Sequence, residues 1–217
     1  MREISLSTAE QLAQIAAQIQ TCTLCKLHQG TIKAVPGEGP PDAKIMFIGE
    51  APGFNEDRQG RPFVGAAGQF LNELLAKAGL QRRDVFITNV VKHRPPNNRD
   101  PEPDEMIACA SYLDQQIALL NPSVIVTLGR FSMARWFPGE RIMRIHGQAR
   151  WIDGRMIVPM LHPAAALHQP QNRSLIEQDF ARLPELLAEA ERRQQPAPAA
   201  KEQPEPDEPD MQQLSLF

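Results

Sequence analysis

Four short apolar runs, residues 44–49, 85–91, 123–128 and 156–161, alternate along this chain with longer segments of helical periodicity. Runs this short and rich in Val and Ile suit strands buried on both faces, too short for core helices. Strands that alternate with helices lie parallel, because each helix carries the chain back to the edge where the next strand starts. The expected helices cover residues 7–20, 69–78, 104–120, a short stretch ending near 137, and 175–192. Ser7 with Glu10 has the spacing of a capping box, Gly79 is a helix stop, and Pro103 suits a first turn. The result is an α/β protein with a parallel sheet covered on both faces. Such sheets bind ligands beyond the carboxyl ends of their strands.

The length, 217 residues, holds one such domain. No run of about 18 apolar residues is present, and the first residues have no apolar signal core, so a cytoplasmic protein without a membrane span is expected. The net charge of −3 argues at face value against nucleic acid. That charge is unevenly placed. Residues 194–217 hold one Lys and five acidic residues, which leaves 22 basic and 21 acidic residues in the body. Residues 194–210 also contain five prolines and no large apolar side chain, so a disordered tether is expected over 194–212, after a folded domain of residues 1–193. Within the body, residues 130–155 hold six Arg against Glu140 and Asp153. That stretch and the loop from Lys92 to Arg99 are candidate phosphate contacts, with about half of the arginines expected in surface ion pairs.

Chemistry gathers at the strand ends. The first strand runs into Gly49-Glu50-Ala51-Pro52-Gly53, the second carries Asn89, and the last runs into His162-Pro163. A carboxylate, a carboxamide and an imidazole at one sheet edge suit a planar polar ring with donors and acceptors on its rim. The glycine-rich loop between Gly53 and Leu71 suits close approach to a phosphate or base, and Phe63 within it is either a stacking platform or an anchor to the core. Three cysteines in a reducing compartment point to ligands or buried thiols. They are Cys22 and Cys25, a CxxC pair, and Cys109 in an expected helix.

The motifs Gly49-Glu-Ala-Pro-Gly53, Glu56-Asp57, Gly60-Arg-Pro-Phe-Val-Gly-Ala-Ala-Gly68, Thr88-Asn-Val-Val-Lys92 and His162-Pro-Ala together resemble the family 4 uracil-DNA glycosylases, over roughly residues 20–190. The resemblance implies a three-layer α/β/α sandwich with a central four-stranded parallel sheet, and an enzyme that flips uracil out of DNA and hydrolyses its N-glycosidic bond. It implies His162, Glu50 and Glu56 as catalytic residues, and Ala51, Gly53, Phe63 and Asn89 as substrate-binding residues. His162 would stabilise the departing uracil anion, and Glu50 or Glu56 would position water or the pocket backbone. Related family 1 enzymes carry Asp where Ala51 stands, so leaving-group stabilisation is expected to carry more of the rate here.

Related enzymes hold a [4Fe-4S] cluster on four cysteines, the third just after the second strand. His93 stands there in this chain. The resemblance thus implies a cluster on Cys22, Cys25, His93 and Cys109, with zinc on the same set as the second reading and no metal as the third. His at this position also occurs in a branch that cross-links itself to uracil, but that branch has Gln in place of Ala51 and a Lys-Arg-Arg-Ile-His segment missing from residues 94–107. His146, in Arg144-Ile-His146, is read as a surface or DNA-facing residue. The last segment, Gln213-Leu214-Ser215-Leu216-Phe217, resembles the peptide that binds the bacterial DNA sliding clamp. The expected partners are uracil-containing DNA and that clamp, for a monomer. The alternatives are a uracil-DNA cross-linking protein, or a non-catalytic DNA-binding adaptor tethered to the clamp.

Overall fold

The computed structural model describes residues 6–195. In chain order its elements are α1 (Thr8–Gln20), β1 (Ile45–Gly49), α2 (Phe54–Gln59), α3 (Ala66–Lys77), β2 (Phe86–Asn89), α4 (Pro103–Leu120), β3 (Val124–Leu128), α5 (Arg130–Met133), α6 (Ile142–Ile145), β4 (Arg150–Ile152), β5 (Arg155–Met160), α7 (Ala164–His168), α8 (Asn172–Ala181) and α9 (Leu183–Gln194). The sheet order is β2-β1-β3-β5-β4. The four apolar runs pair in parallel, and β4 adds an antiparallel edge. The direction of winding changes beside β1, which places a crevice at the carboxyl ends of β1 and its neighbours.

Both sheet faces are covered. Along β1, Ile45 and Phe47 face α3, α8 and α9, where they pack with Leu71, Leu74, Phe180 and Leu183. Met46 and Ile48 face the other way and pack with Leu113 and Leu120 of α4 and with Met133 and Ile145. The rings of Phe47 and Phe180 stack with centroids 5.8 Å apart. Each fully buried side chain of this size contributes about 1.5–3 kcal/mol. The expected α/β/α sandwich is the observed architecture.

The departures have local causes. The fifth strand, β4, is three residues long, and its first residue is exposed, so it carries no apolar run. It joins β5 through Asp153-Gly154, both with positive φ (48° and 75°), a turn suited to a two-residue hairpin. The expected helix over 175–192 is divided into α8 and α9, because Pro184 has no N–H for the Phe180 carbonyl. The capping box at Ser7 is present, with the Ser7 N–H donating to Glu10 at 2.8 Å.

At the other end, Gln194 still belongs to the packed body. It accepts from the Ser123 hydroxyl at 2.7 Å and donates to the Gly154 carbonyl at 3.1 Å. The expected tether beyond residue 195, and the clamp-binding peptide Gln213, Leu214, Leu216 and Phe217, lie outside the described residues. Among the described residues no helix is long and apolar enough to cross a membrane.

Candidate active site

The register of β1 and β2 sets Gly49 opposite Asn89. A Cβ on Gly49 would overlap Asn89 Oδ1 and lie 2.7 Å from Phe63 Cζ. Glycine at this position therefore lets the carboxamide and the aromatic ring meet against bare backbone. Both polar atoms of the Asn89 side chain are buried, and neither has a hydrogen-bond partner among the described residues. Leaving such a group unpaired costs about 1–3 kcal/mol, so its natural partner is a ligand.

The carboxamide opens into a cavity of about 580 Å³, within the usual range for small-molecule sites. Glu50, Ala51, Gly53, Glu56, Phe63, Asn89 and His162 all line it. Folding thus brings together every substrate-binding and catalytic position expected from the sequence.

The two glutamates stand in different surroundings. Glu56 Oε1 accepts from the backbone N–H groups of Val64 and Gly65, both at 2.8 Å, so it braces the loop that carries Phe63. Among the described residues no bond of this kind holds the Glu50 carboxyl. Burial, and then the charge of Asp100, push its pKa up to about 7 against the pull of Arg130. Glu50 is therefore the carboxylate free to hold water or take a proton near neutral pH.

His162 Nδ1 accepts from the Ala164 N–H at 3.1 Å. That bond assigns the ring proton to Nε2. Burial lowers its pKa to about 4, with Glu56 opposing the shift. The imidazole is a neutral donor at physiological pH. Its ring lies 5.4 Å from that of Phe63, inclined by 28°.

Three supporting residues escaped the sequence reading. Gly49 is one. Arg82 is the second: it donates to the carbonyl oxygens of Phe63, at 3.0 Å, and of Pro62, while bonding Glu38 at 2.8 Å. The third is Gly68, where a Cβ would overlap the Phe63 carbonyl. Together they hold Phe63 at a φ of 49°, a left-handed conformation that non-glycine residues rarely adopt. Phe63 packs into the core and lines the cavity at once. At the rim, Phe54 is half exposed between the guanidinium groups of Arg94 (5.1 Å) and Arg58 (5.6 Å), beside the lining residues Gly53 and Pro95.

Several candidate DNA contacts are otherwise engaged. Lys92 and His93 are buried, and Arg99 forms a two-pronged pair with the buried Glu105. Within 130–155, Arg130 pairs with Asp100, Arg135 with Asp114 and Arg150 with Glu140, three of the six arginines. His146, expected at the surface, is only partly exposed. Its Nδ1 bonds Asp179 at 2.8 Å and its side chain is mostly enclosed.

The cysteines form no disulfide among the described residues and gather around one packing cluster. Cys109 is buried there beside Val91 and Tyr112, and Cys22 and Cys25 pack against it. Cys109 Sγ accepts the Lys92 N–H at 3.3 Å. His93 follows Lys92, but His28 and Asp57 are its charged surroundings. Among the described residues no three His, Cys, Asp or Glu side chains stand together as a ready metal site. The soft donors are collected at one end of the fold, yet the expected four-residue set is not closed.

A doubly wound α/β sandwich whose pocket collects a carboxylate, a carboxamide and an imidazole at the strand ends has the architecture of an enzyme that binds a polar ligand. Residues 36–186 match the model of the uracil DNA glycosylase superfamily. The chain belongs to that superfamily and, within it, to the type-4 uracil-DNA glycosylases. It is 50% identical over 187 residues to the type-4 uracil-DNA glycosylase of Sulfurisphaera tokodaii, covering 82% of this chain and 85% of that one. It is 49% identical over 189 residues to the enzyme of the same name from Saccharolobus solfataricus, covering 82% and 88%. For that of Archaeoglobus fulgidus the identity is 46% over 186 residues, covering 82% and 94%.

The contact at Gly49 gives a direct test of the pocket. Gly49→Ala pushes a methyl into the Asn89 carboxamide and the Phe63 ring. The variant is expected to keep its circular dichroism spectrum and lose at least about 100-fold in kcat/KM for base release, because misplacing a positioned group by an ångström costs that much.

Proposed function

We propose that this protein removes uracil from DNA, hydrolysing the N-glycosidic bond and leaving an abasic site for repair. The observation that carries this reading is the buried, unpartnered carboxamide of Asn89 facing a pocket that also holds Phe63 and His162. Uracil reaches such a pocket only after leaving the base stack. Its O4 accepts from Asn89 Nδ2 and its N3–H donates to Oδ1. Cytosine reverses both roles, leaving buried groups unpaired, which is how a polar site rejects a close analogue strongly.

Bond cleavage builds negative charge on the uracil and positive charge on the sugar. The Nε2–H of His162 donates to O2 and stabilises the leaving anion without itself carrying charge. Glu50 orients or deprotonates the attacking water on the sugar side. Ala51 supplies no carboxylate, so stabilisation of the leaving group bears more of the rate than activation of water. Phe54, with Arg58 and Arg94, is suited to hold the strand beside the flipped base, the aromatic face by stacking and the guanidinium groups on phosphates.

We further infer that Cys22, Cys25, Cys109 and His93 hold a [4Fe-4S] cluster. Support comes from three thiols packed around one cluster and from the Lys92 N–H aimed at Cys109, the kind of hydrogen bond that tunes such sites. Hydrolysis involves no redox step, so the cluster's contribution is structural. The segment from Gln213 to Phe217 binds the sliding clamp, a reading supported by its sequence and by the acidic, proline-rich stretch before it.

Purified protein is expected to release uracil from a uracil-containing oligonucleotide, and failure to do so overturns the glycosylase reading. In the same assay kcat/KM should rise with pH through about 7, as Glu50 ionises, with no limb from His162 above about pH 5. Glu50→Gln should flatten that rise and lower kcat. The sign for stability is opposite. Burial raises the folded-state pKa of Glu50, so ionisation destabilises the fold as pH rises from about 4.5 through 7. Glu50→Gln should therefore raise Tm at pH 8 and leave it unchanged at pH 4.

Aerobically purified protein should be brown, with about four iron atoms per chain by elemental analysis, and His93→Ala should lower the iron content. Stoichiometric zinc in a colourless protein would replace the cluster reading with the zinc one. Deletion of residues 211–217 should abolish clamp binding in a pull-down while leaving uracil release unchanged.

A further inference from the structure

Directly behind the pocket lies a lysine with no contact to solvent. Lys92 is 0% exposed, although interior lysines are rare unless their charge is met. Its Nζ donates to Thr88 Oγ1 at 2.7 Å, to the main-chain carbonyl of Asn89 at 2.8 Å and to Gln116 Oε1 at 2.9 Å. The proton bookkeeping closes. The Thr88 hydroxyl spends its own proton on the Pro36 carbonyl at 3.0 Å, and the Gln116 amide donates to that same carbonyl at 2.7 Å. All three atoms facing Nζ therefore present lone pairs, which suits the three N–H bonds of an ammonium and works against the burial that lowers the Lys92 pKa to about 7. None of its partners is a carboxylate.

The consequence lies at Asn89. The two ends of that residue are treated differently: its carboxamide has no protein partner, whereas its carbonyl is held by Lys92. Packed against Gly49 and Phe63 but held by no hydrogen bond among the described residues, the carboxamide depends on its main chain for its direction. That main chain is held by the pairing with β1, where the Val90 N–H donates to Gly49 at 3.0 Å, and by the ammonium beneath it. Gln116 extends the brace into α4, and Pro36 extends it into the segment before β1.

We propose that Lys92 is a positioning residue for base recognition: through the Asn89 carbonyl it fixes the end of β2, so that the Asn89 carboxamide meets the base edge in one orientation. This rests on the uracil-recognition reading above and assigns that site a residue the base never touches.

Lys92→Met keeps the unbranched apolar stem, one atom shorter, and removes all three hydrogen bonds. It is expected to lower kcat/KM for uracil release about 30–100-fold, and to weaken inhibition by free uracil at least tenfold, because the same edge contacts hold the free base. A merely structural role would not predict the next result. In an Asn89→Ala background, where there is no carboxamide left to aim, Lys92→Met should change single-turnover uracil release by less than threefold. The proposal is overturned if folded Lys92→Met keeps wild-type release and uracil inhibition within twofold. It is equally overturned if the substitution costs the same factor with and without Asn89. If Lys92→Met does not fold by circular dichroism, Gln116→Leu takes its place, since it removes one of the three acceptors of Nζ together with the amide's bond to Pro36. It is expected to lower release about fivefold in the wild-type background and to have no effect in the Asn89→Ala one; no loss in the first, or equal loss in both, overturns the proposal. Uracil release by the wild-type protein tests the functional reading independently of these comparisons.

Discussion

The parallel pairing of β1 with β2 sets Gly49 opposite Asn89, and the pocket follows from that register because any side chain at position 49 would fill the space where the Asn89 carboxamide and the Phe63 ring meet. A slip of one residue would turn Asn89 to the other sheet face and set a different neighbour against it. Register is strongly specified here because both faces are buried: Phe47 and Ile87 belong to one core, and Met46, Ile48 and Phe86 to the other. The hydrophobic effect that closes the sandwich thus also determines which polar group looks into the cavity. Core and site are one construction, with Phe63 belonging to both.

Much of this was legible in the sequence because it depends on periodicity and spacing. The four parallel strands, the capped first helix and the strand-end positions of Glu50, Asn89 and His162 were all visible. What was not visible depends on contacts between distant segments. Arg82 reads as one arginine of a polar turn, and only the folded chain brings its guanidinium to the carbonyls of Pro62 and Phe63. Gly49 reads as the end of a strand until Asn89 and Phe63 are set beside it. Sequence also misjudged which charges are free. Lys92 and Arg99 resembled a basic loop, yet one is sealed in the interior and the other is committed to Glu105. The hairpin with β4 has a turn signal in Asp153-Gly154, but its strand lacks the apolar run that marks the other four.

Two buried polar systems share the end of β2 and are treated oppositely. Around Lys92 every donor finds an acceptor, so the charge is compensated by three dipoles and the segment is stiffened. Three residues away, the Asn89 carboxamide is left with neither donor nor acceptor satisfied among the described residues. A fold tolerates an orphan of that kind only where the surrounding structure fixes it, as strain at Phe63 is tolerated because Glu56, Gly68 and Arg82 hold the loop. Rigid support around an unsatisfied group is the arrangement expected of a recognition site, since a mobile carboxamide could turn and accept the wrong base.

The electrostatics of the cavity bear on how a glycosylase of this kind divides its work. A protonated histidine would attract the uracil anion more strongly, but it would also have to persist in a buried site, and burial favours the neutral ring. The Ala164 N–H resolves this by fixing the tautomer, so the pocket keeps a directed donor without a buried charge. The same desolvation that holds His162 neutral raises the pKa of Glu50 toward 7, leaving it partly protonated at neutral pH. On the proposed mechanism, the burial these two groups share would favour donation to the leaving base and hold back the carboxylate on the water side. On the mechanism proposed above, with Ala51 supplying no second carboxylate, the balance would fall on the departure of the base, and the placement of His162 and Asn89 would matter more to the rate than the strength of any base.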